Sequence, residues 1–209
     1  MVGYIPFTRV YQNEQVFTSG NPGQPGEAVN SLGDIDLTVE IQILKRPKWV
    51  LATSLTLGIP SGNNSGGSDG SYQTGDGEFN QILKVLAGTS FKIAKHSFYA
   101  KASVGFNNRS NGFSDEIRLG IETGSQLFKN KFLLLARLNT IQSFFNGSLS
   151  AENSNGSIFA NNVEVTNLGG EINYFITKKW SASFGYSVPL SGKNIYKAPA
   201  ISGGIAYKL

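Results

Sequence analysis

With 209 residues, the chain is long enough for one or two domains, and its apolar residues nowhere approach the run of about 18 that a membrane helix needs. The absence of cysteine excludes thiolate metal centres, thiol catalysis and disulfide stapling. The net charge of +4 comes from lysines and arginines scattered among short turns, which argues against a nucleic-acid surface, while 25 glycines, 11% aromatic and only 15% charged residues suit an all-β chain with one apolar face.

The first expected strand covers 2–12. The second, 33–44, holds Asp34-Ile35-Asp36-Leu37-Thr38-Val39-Glu40-Ile41-Gln42-Ile43, in which every odd position is aliphatic and every even one polar. Successive side chains of a strand point to opposite faces, so this segment has one oily and one wet face. Further strands are predicted over 49–59, 78–93, 97–108, 114–128, 131–145, 163–176, 180–188 and 199–209. Several reach the ~9–11 residues of a tilted strand crossing a bilayer. Strands of soluble proteins are shorter, about 5–6 residues.

The connections alternate in character. Those at 45–48, 94–96, 129–130 and 177–179 are short and basic. Those at 13–32, 60–77, 146–162 and 189–198 are long and rich in Gly, Ser and Asn, with 109–113 shorter. Short turns at one end and long loops at the other predict an all-β, antiparallel up-and-down transmembrane β-barrel, ten strands in a single domain over 1–209 and a monomer. The polar loops, Ser61 to Gly70 among them, read as mobile surface segments.

Following the alternation gives an outward aliphatic set that includes Leu37, Val39, Leu55, Val85, Val104, Leu119 and Ile121. Trp49, Phe91, Phe98, Phe128, Phe132 and Trp180 lie beside the short turns, where an aromatic girdle would meet lipid headgroups. The inward set is polar and interspersed with glycines that leave room for large neighbours or a lumen. From it the candidate solute-binding residues are Lys84, Lys101, Arg118, Glu122 and Arg137 at mid-barrel, with Arg109 and Glu116 near the outer mouth. A structural ionic network is the favoured reading of these charges, ahead of a constriction that selects solutes by charge.

Other chemistry is weakly signalled. Asp76 and Glu78 offer oxygen ligands for calcium, but the spacing of a calcium loop is missing, so a turn with a strand-end acid is favoured. His96, the only histidine, sits in a basic turn away from any Ser–acid set, so no catalytic residue, cofactor or metal is expected. The Asn-x-Ser sequons at Asn63, Asn108, Asn146 and Asn155 read as chance matches in Asn- and Ser-rich loops.

Four pieces, Ser31 to Leu37, Leu57 to Gly62, Gly75 to Gln81, and Gly105 to Arg109 running on to Asp115 to Arg118, together resemble a known family. It is the outer-membrane barrel group labelled as transporters of the phenol meta-degradation pathway, in its Bacteroidetes-like form. The resemblance implies a Gram-negative outer membrane and passage of small, hydrophobic or aromatic compounds. It also implies a signal peptide and further strands ahead of Tyr4-Ile5-Pro6-Phe7, so one N-terminal hairpin is expected beyond this chain and about 12 strands in the full barrel. Gly204-Ile205-Ala206-Tyr207-Lys208-Leu209 is similar to the C-terminal signal read by the barrel assembly machinery, with Leu209 where Phe is usual. The expected partners are therefore outer-membrane lipid, that machinery and a small solute. A closed adhesive or structural barrel acting through its outer loops is the second hypothesis, and a soluble lipid-binding barrel the third.

Overall fold

The computed structural model describes residues 1–12, 25–94, 96–150 and 159–208; within the segments named above, 13–24, Asn155 and Leu209 lie outside the described residues. The strands are β1 (Val2–Tyr4), β2 (Phe7–Gln12), β3 (Glu27–Leu32), β4 (Ile35–Lys45), β5 (Trp49–Ile59), β6 (Asn80–Ile93), β7 (His96–Arg109), β8 (Glu116–Leu127), β9 (Phe132–Ser143), β10 (Glu164–Phe175), β11 (Trp180–Lys193) and β12 (Ala200–Tyr207). Ten of them form one antiparallel sheet in the order β1-β4-β5-β6-β7-β8-β9-β10-β11-β12. From β4 onward each strand pairs with its sequence neighbour, as an up-and-down barrel requires. Among the described residues β1 and β12 are the two edges and do not pair with each other.

The N-terminal strand departs from expectation. Residues 2–12 are not one strand but two, because Pro6 has no N–H to give to a ladder and the chain leaves the sheet there. β1 pairs with β4 (Val2 opposite Thr38), whereas β2 folds onto β3 (Phe7 opposite Leu32) as a separate two-stranded ribbon. Gly33 N–H closes this excursion on the Pro6 carbonyl at 2.9 Å. β3 lies inside the segment read as a loop, so the described chain has 12 strands rather than ten.

Two bulges interrupt the ladders. The β4–β5 register shifts at Ile43, between Gln42 and Leu44. The β10–β11 register shifts opposite Leu190, next to Pro189, whose missing donor is tolerated at such an irregularity. At the turn between β8 and β9, Phe128, Lys129 and Asn130 all take positive φ (50°, 56° and 64°). That left-handed run reverses the chain within the few residues a tight hairpin allows.

The two faces of the sheet differ as the alternation requires. Val85, Val104 and Leu119 stand opposite one another across β6, β7 and β8, and Ala102, Ile121 and Leu138 across β7, β8 and β9. These side chains are not covered by another layer: Ile121 is 57% exposed and Val104 46%. The buried apolar side chains among the described residues are few, namely Ala52, Ile82, Ala160, Val163 and Val165. Ala160, Val163 and Val165 pack with Ile141 and Ile195 under the long loops. Phe91 stacks on Phe98, Phe128 meets Phe132 edge-on, Phe132 contacts Tyr174, and Trp180 contacts Tyr207, all at the short-turn end. Tyr207 lies at that same end, since it pairs with Trp180, whereas β1 pairs with the long-loop half of β4 (Val2 opposite Thr38, Tyr4 opposite Asp36).

Candidate functional site

The ion-paired residues of the polar face fall into two groups at different heights. In the first, register places Lys101, Glu122 and Arg137 directly opposite one another on β7, β8 and β9. Lys101 Nζ lies 3.2 Å from Glu122 Oε1, and Arg137 reaches Glu122 Oε2 and Glu171 Oε2 at 2.6 Å each. The Tyr99 hydroxyl donates to Glu122 Oε1 at 2.9 Å, and Asn173 Nδ2 donates to Glu171 Oε1 at 2.6 Å. A belt of alternating charge thus crosses four strands. Its cations remain wet, with the Lys101 and Arg137 side chains 42% and 35% exposed. Each such pair is therefore worth only about 1 kcal/mol or less.

Gly124 makes this belt possible. It faces Tyr99 across the ladder, and a Cβ there would stand 2.5 Å from Tyr99 Cε1 and 2.7 Å from Leu135 Cδ2. Gly124→Ala is expected to push the Tyr99 ring aside and break its bond to Glu122, costing about 1 kcal/mol in denaturant unfolding. In a Tyr99→Phe background the part of that cost carried by the hydrogen bond should vanish; a full cost there would assign the effect to crowding by Leu135.

The second group lies at the long-loop end and is dry at its centre. Arg109, at the end of β7, has a side chain only 6% exposed. Its Nε and NH2 both contact Glu78, a residue of 0% exposure, and its NH1 donates to Glu116 Oε1 at 2.8 Å. Asp76 Oδ2 is 3.6 Å away, and the Phe113 ring lies against the guanidinium at 4.5 Å. Arg118 grips the other oxygen of Glu116 through Nε and NH2 (3.1 and 2.8 Å), and Asn107 Nδ2 donates to that oxygen at 3.2 Å. Burial pushes the Glu78 carboxyl up to about 8 against the opposing pull of Arg109, and burial also raises Asp76.

This second group pins a loop. The segment 60–79 is threaded back over the polar face instead of projecting as its composition suggested. Asp34 accepts from Gly62 N–H (2.9 Å) and Asp76 N–H (3.0 Å), while Thr74 bonds to both Asn63 and Leu32. At Gly62 a Cβ would meet the Gly75 backbone at 2.7 Å, so this crossing admits no side chain there. A neighbouring knot joins the next loops: Asn161, 2% exposed, accepts from Ser114 N–H, and Asp115 exchanges bonds with Asn146.

Of the seven candidate residues, Lys101, Glu122 and Arg137 come together in the wet belt. Arg109 and Glu116 come together at the loop end. Arg118 lies four residues from Glu122 along β8, about 13 Å on, level with Lys84, and serves Glu116 in the loop-end group. Lys84 is half-buried beside Gly105 and, among the described residues, makes no ion pair. Sequence reasoning missed Glu78 as the main partner of Arg109 and Asp34 as the cradle of the loop. Glu78 precedes β6 by two residues, and only the register of Asn80 opposite Arg109 brings it within reach.

No curated protein sequence matches the chain significantly. Residues 1–203 match a family, and on that match the chain belongs to the family described as "Putative MetA-pathway of phenol degradation".

Proposed function

We propose that the chain is an outer-membrane β-barrel for passive passage of a small, hydrophobic or aromatic solute, with outer-membrane lipid around it and the barrel assembly machinery acting on its last strand. The observation that carries this reading is the pair of faces. An uncovered aliphatic face that continues across many strands is a kind of surface that soluble monomers rarely expose. The opposite face carries the ion-paired belt and the glycines. Aromatic contacts gathered at the short-turn end fit a headgroup boundary. The family's description, which names a phenol degradation pathway, supports a small aromatic compound as the solute. In lipid the edges β1 and β12 would each need a hydrogen-bonding partner.

Two measurements test this reading. Ile121 is outward and central on β8, beside the inward Glu122. Ile121→Arg is expected to destabilise the barrel refolded in lipid by about 2–4 kcal/mol, the cost of a cation at the bilayer midplane. A change within about 0.5 kcal/mol, as at any solvated surface, would sink the membrane assignment. Planar-bilayer recordings of the refolded protein should then show steady conductance that neutral phenols or aromatic acids reduce. Folded protein without conductance in any condition would favour the closed barrel acting through its loops.

A further inference from the structure

At the short-turn end a cavity of about 440 Å³ opens between β5, β6, β7 and the turn 46–48. This is within the range of small-molecule sites. Val50, Ala52 and Leu86, with Pro47, Trp49 and Ala100, form its apolar lining. Lys45, Arg46, Lys48 and Lys101 bring four cations to it, against the single carboxylate of Glu40. The cavity at the opposite end, about 310 Å³, has the reverse character: Asp34, Asp36 and Asp76 against Arg118. Lys101 is the cation best able to serve a ligand. Glu122 already accepts from Arg137 and Tyr99, so it retains partners if Lys101 swings away, and the Lys101 side chain is 42% exposed.

We propose that this cavity binds small organic anions with an apolar tail, the tail on Val50, Ala52 and Leu86 and the carboxylate on Lys101 and Arg46. This rests on the passage reading and names the charge of its ligand. An apolar wall rewards the tail by area. A charge-assisted bond to Lys101 rewards the anionic head, and a cationic head on the same tail meets four like charges. The acidic opposite end repels the same ligand, so the site is confined to the short-turn side.

The test is calorimetric titration of the refolded barrel in zwitterionic micelles, against matched micelle blanks, with hexanoate, hexylamine and hexanol. Hexanoate is expected to bind at least about tenfold more tightly than hexylammonium, one tenfold step being the worth of a charge-assisted contact. Lys101→Met should weaken hexanoate about tenfold and leave hexanol unchanged. Leu86→Trp should abolish both, with heat-modifiable electrophoretic mobility confirming the fold; if that variant does not fold, Lys101→Met decides. Absence of hexanoate binding, equal binding of hexylammonium, or an unaltered affinity in Lys101→Met would each overturn the proposal. Binding by a protein silent in bilayers would keep the site and remove the passage reading. Conductance without binding would do the opposite.

Discussion

Arg109→Ala is expected to be the most destabilising single substitution in the chain, costing about 3 kcal/mol in denaturant unfolding above pH 8, where Glu78 is ionised. The guanidinium satisfies Glu78 and Glu116 together and lies near Asp76, in a site nearly closed to water. Removing it strips Glu78 of both its guanidinium contacts in a site closed to water, while Glu116 keeps Arg118 and Asn107; taking one partner from a buried pair is the most expensive way to break it. Arg109→Lys should recover less than half of the loss, because an ammonium cannot offer the planar fork that Glu78 and Glu116 share. Arg109→Ala combined with Glu78→Leu should recover more, since the orphaned acid is removed as well. Trp49 and Trp180 both sit at the far end, so their fluorescence reports global unfolding rather than local loosening. A cost below about 1 kcal/mol, the level of a solvated pair, would mean that the loop-end network does not hold the long-loop end of the sheet.

The same group gives a pH dependence with a definite sign. Burial raises the Glu78 carboxyl from 4.5 to about 8. Between those values the folded protein keeps a proton that the unfolded chain releases. The stabilisation is therefore complete below 4.5 and is lost as pH climbs through 8. The slope contributed by one such group is at most about 1.4 kcal/mol per pH unit. Glu78→Gln, which keeps the shape without the proton, should flatten that part of the stability profile.

What could be read from the sequence, and what could not, follows from how far each signal reaches. The alternation in Asp34 to Ile43 is local, so it fixed the faces of β4 and, by repetition, of its neighbours. It assigns a side chain to a face but not to a height. Arg118 and Glu122 share a face of β8, and the alternation could not tell that one meets Glu116 and the other Arg137. Heights need the register between strands, which turn geometry and bulges such as the one at Ile43 set. β3 escaped notice because Glu27-Ala28-Val29-Asn30-Ser31-Leu32 alternates weakly and is short, and its pairing partner is separated from the sheet only by Pro6. The inward folding of 60–79 was hidden for a different reason. A Gly- and Ser-rich composition permits a mobile loop, but the same glycines permit the close crossing at Gly62 and Gly75, and only distant Asp34 and Arg109 decide between them.

Arg137 is where the passage reading meets its sharpest functional expectation. It stands between Glu122 and Glu171, and with Lys101 the belt holds two cations and two anions, a formal sum of zero. Beside it lies an opening of about 230 Å³ lined by Asn139, Asn167, Gly169, Gly185 and Ser202 among others. On the proposed passage, an ion crossing the belt comes close to these charges. A unit charge about 4 Å from a passing ion is worth about 1 kcal/mol in water and several-fold more where water is scarce. Arg137→Ala takes the belt to a net charge of −1, and Arg137→Glu to −2. In a salt gradient across a planar bilayer the reversal potential should move toward that of the cation in this order, with the cation-to-anion permeability ratio rising about tenfold for the glutamate variant. Ile121→Gln, which alters the opposite face at the same height, should leave the ratio where it is. An unmoved reversal potential in both Arg137 variants would put the conducting path outside the belt. The ion pairs of β7 to β10 would then be read as struts that hold the strands in register rather than as a filter.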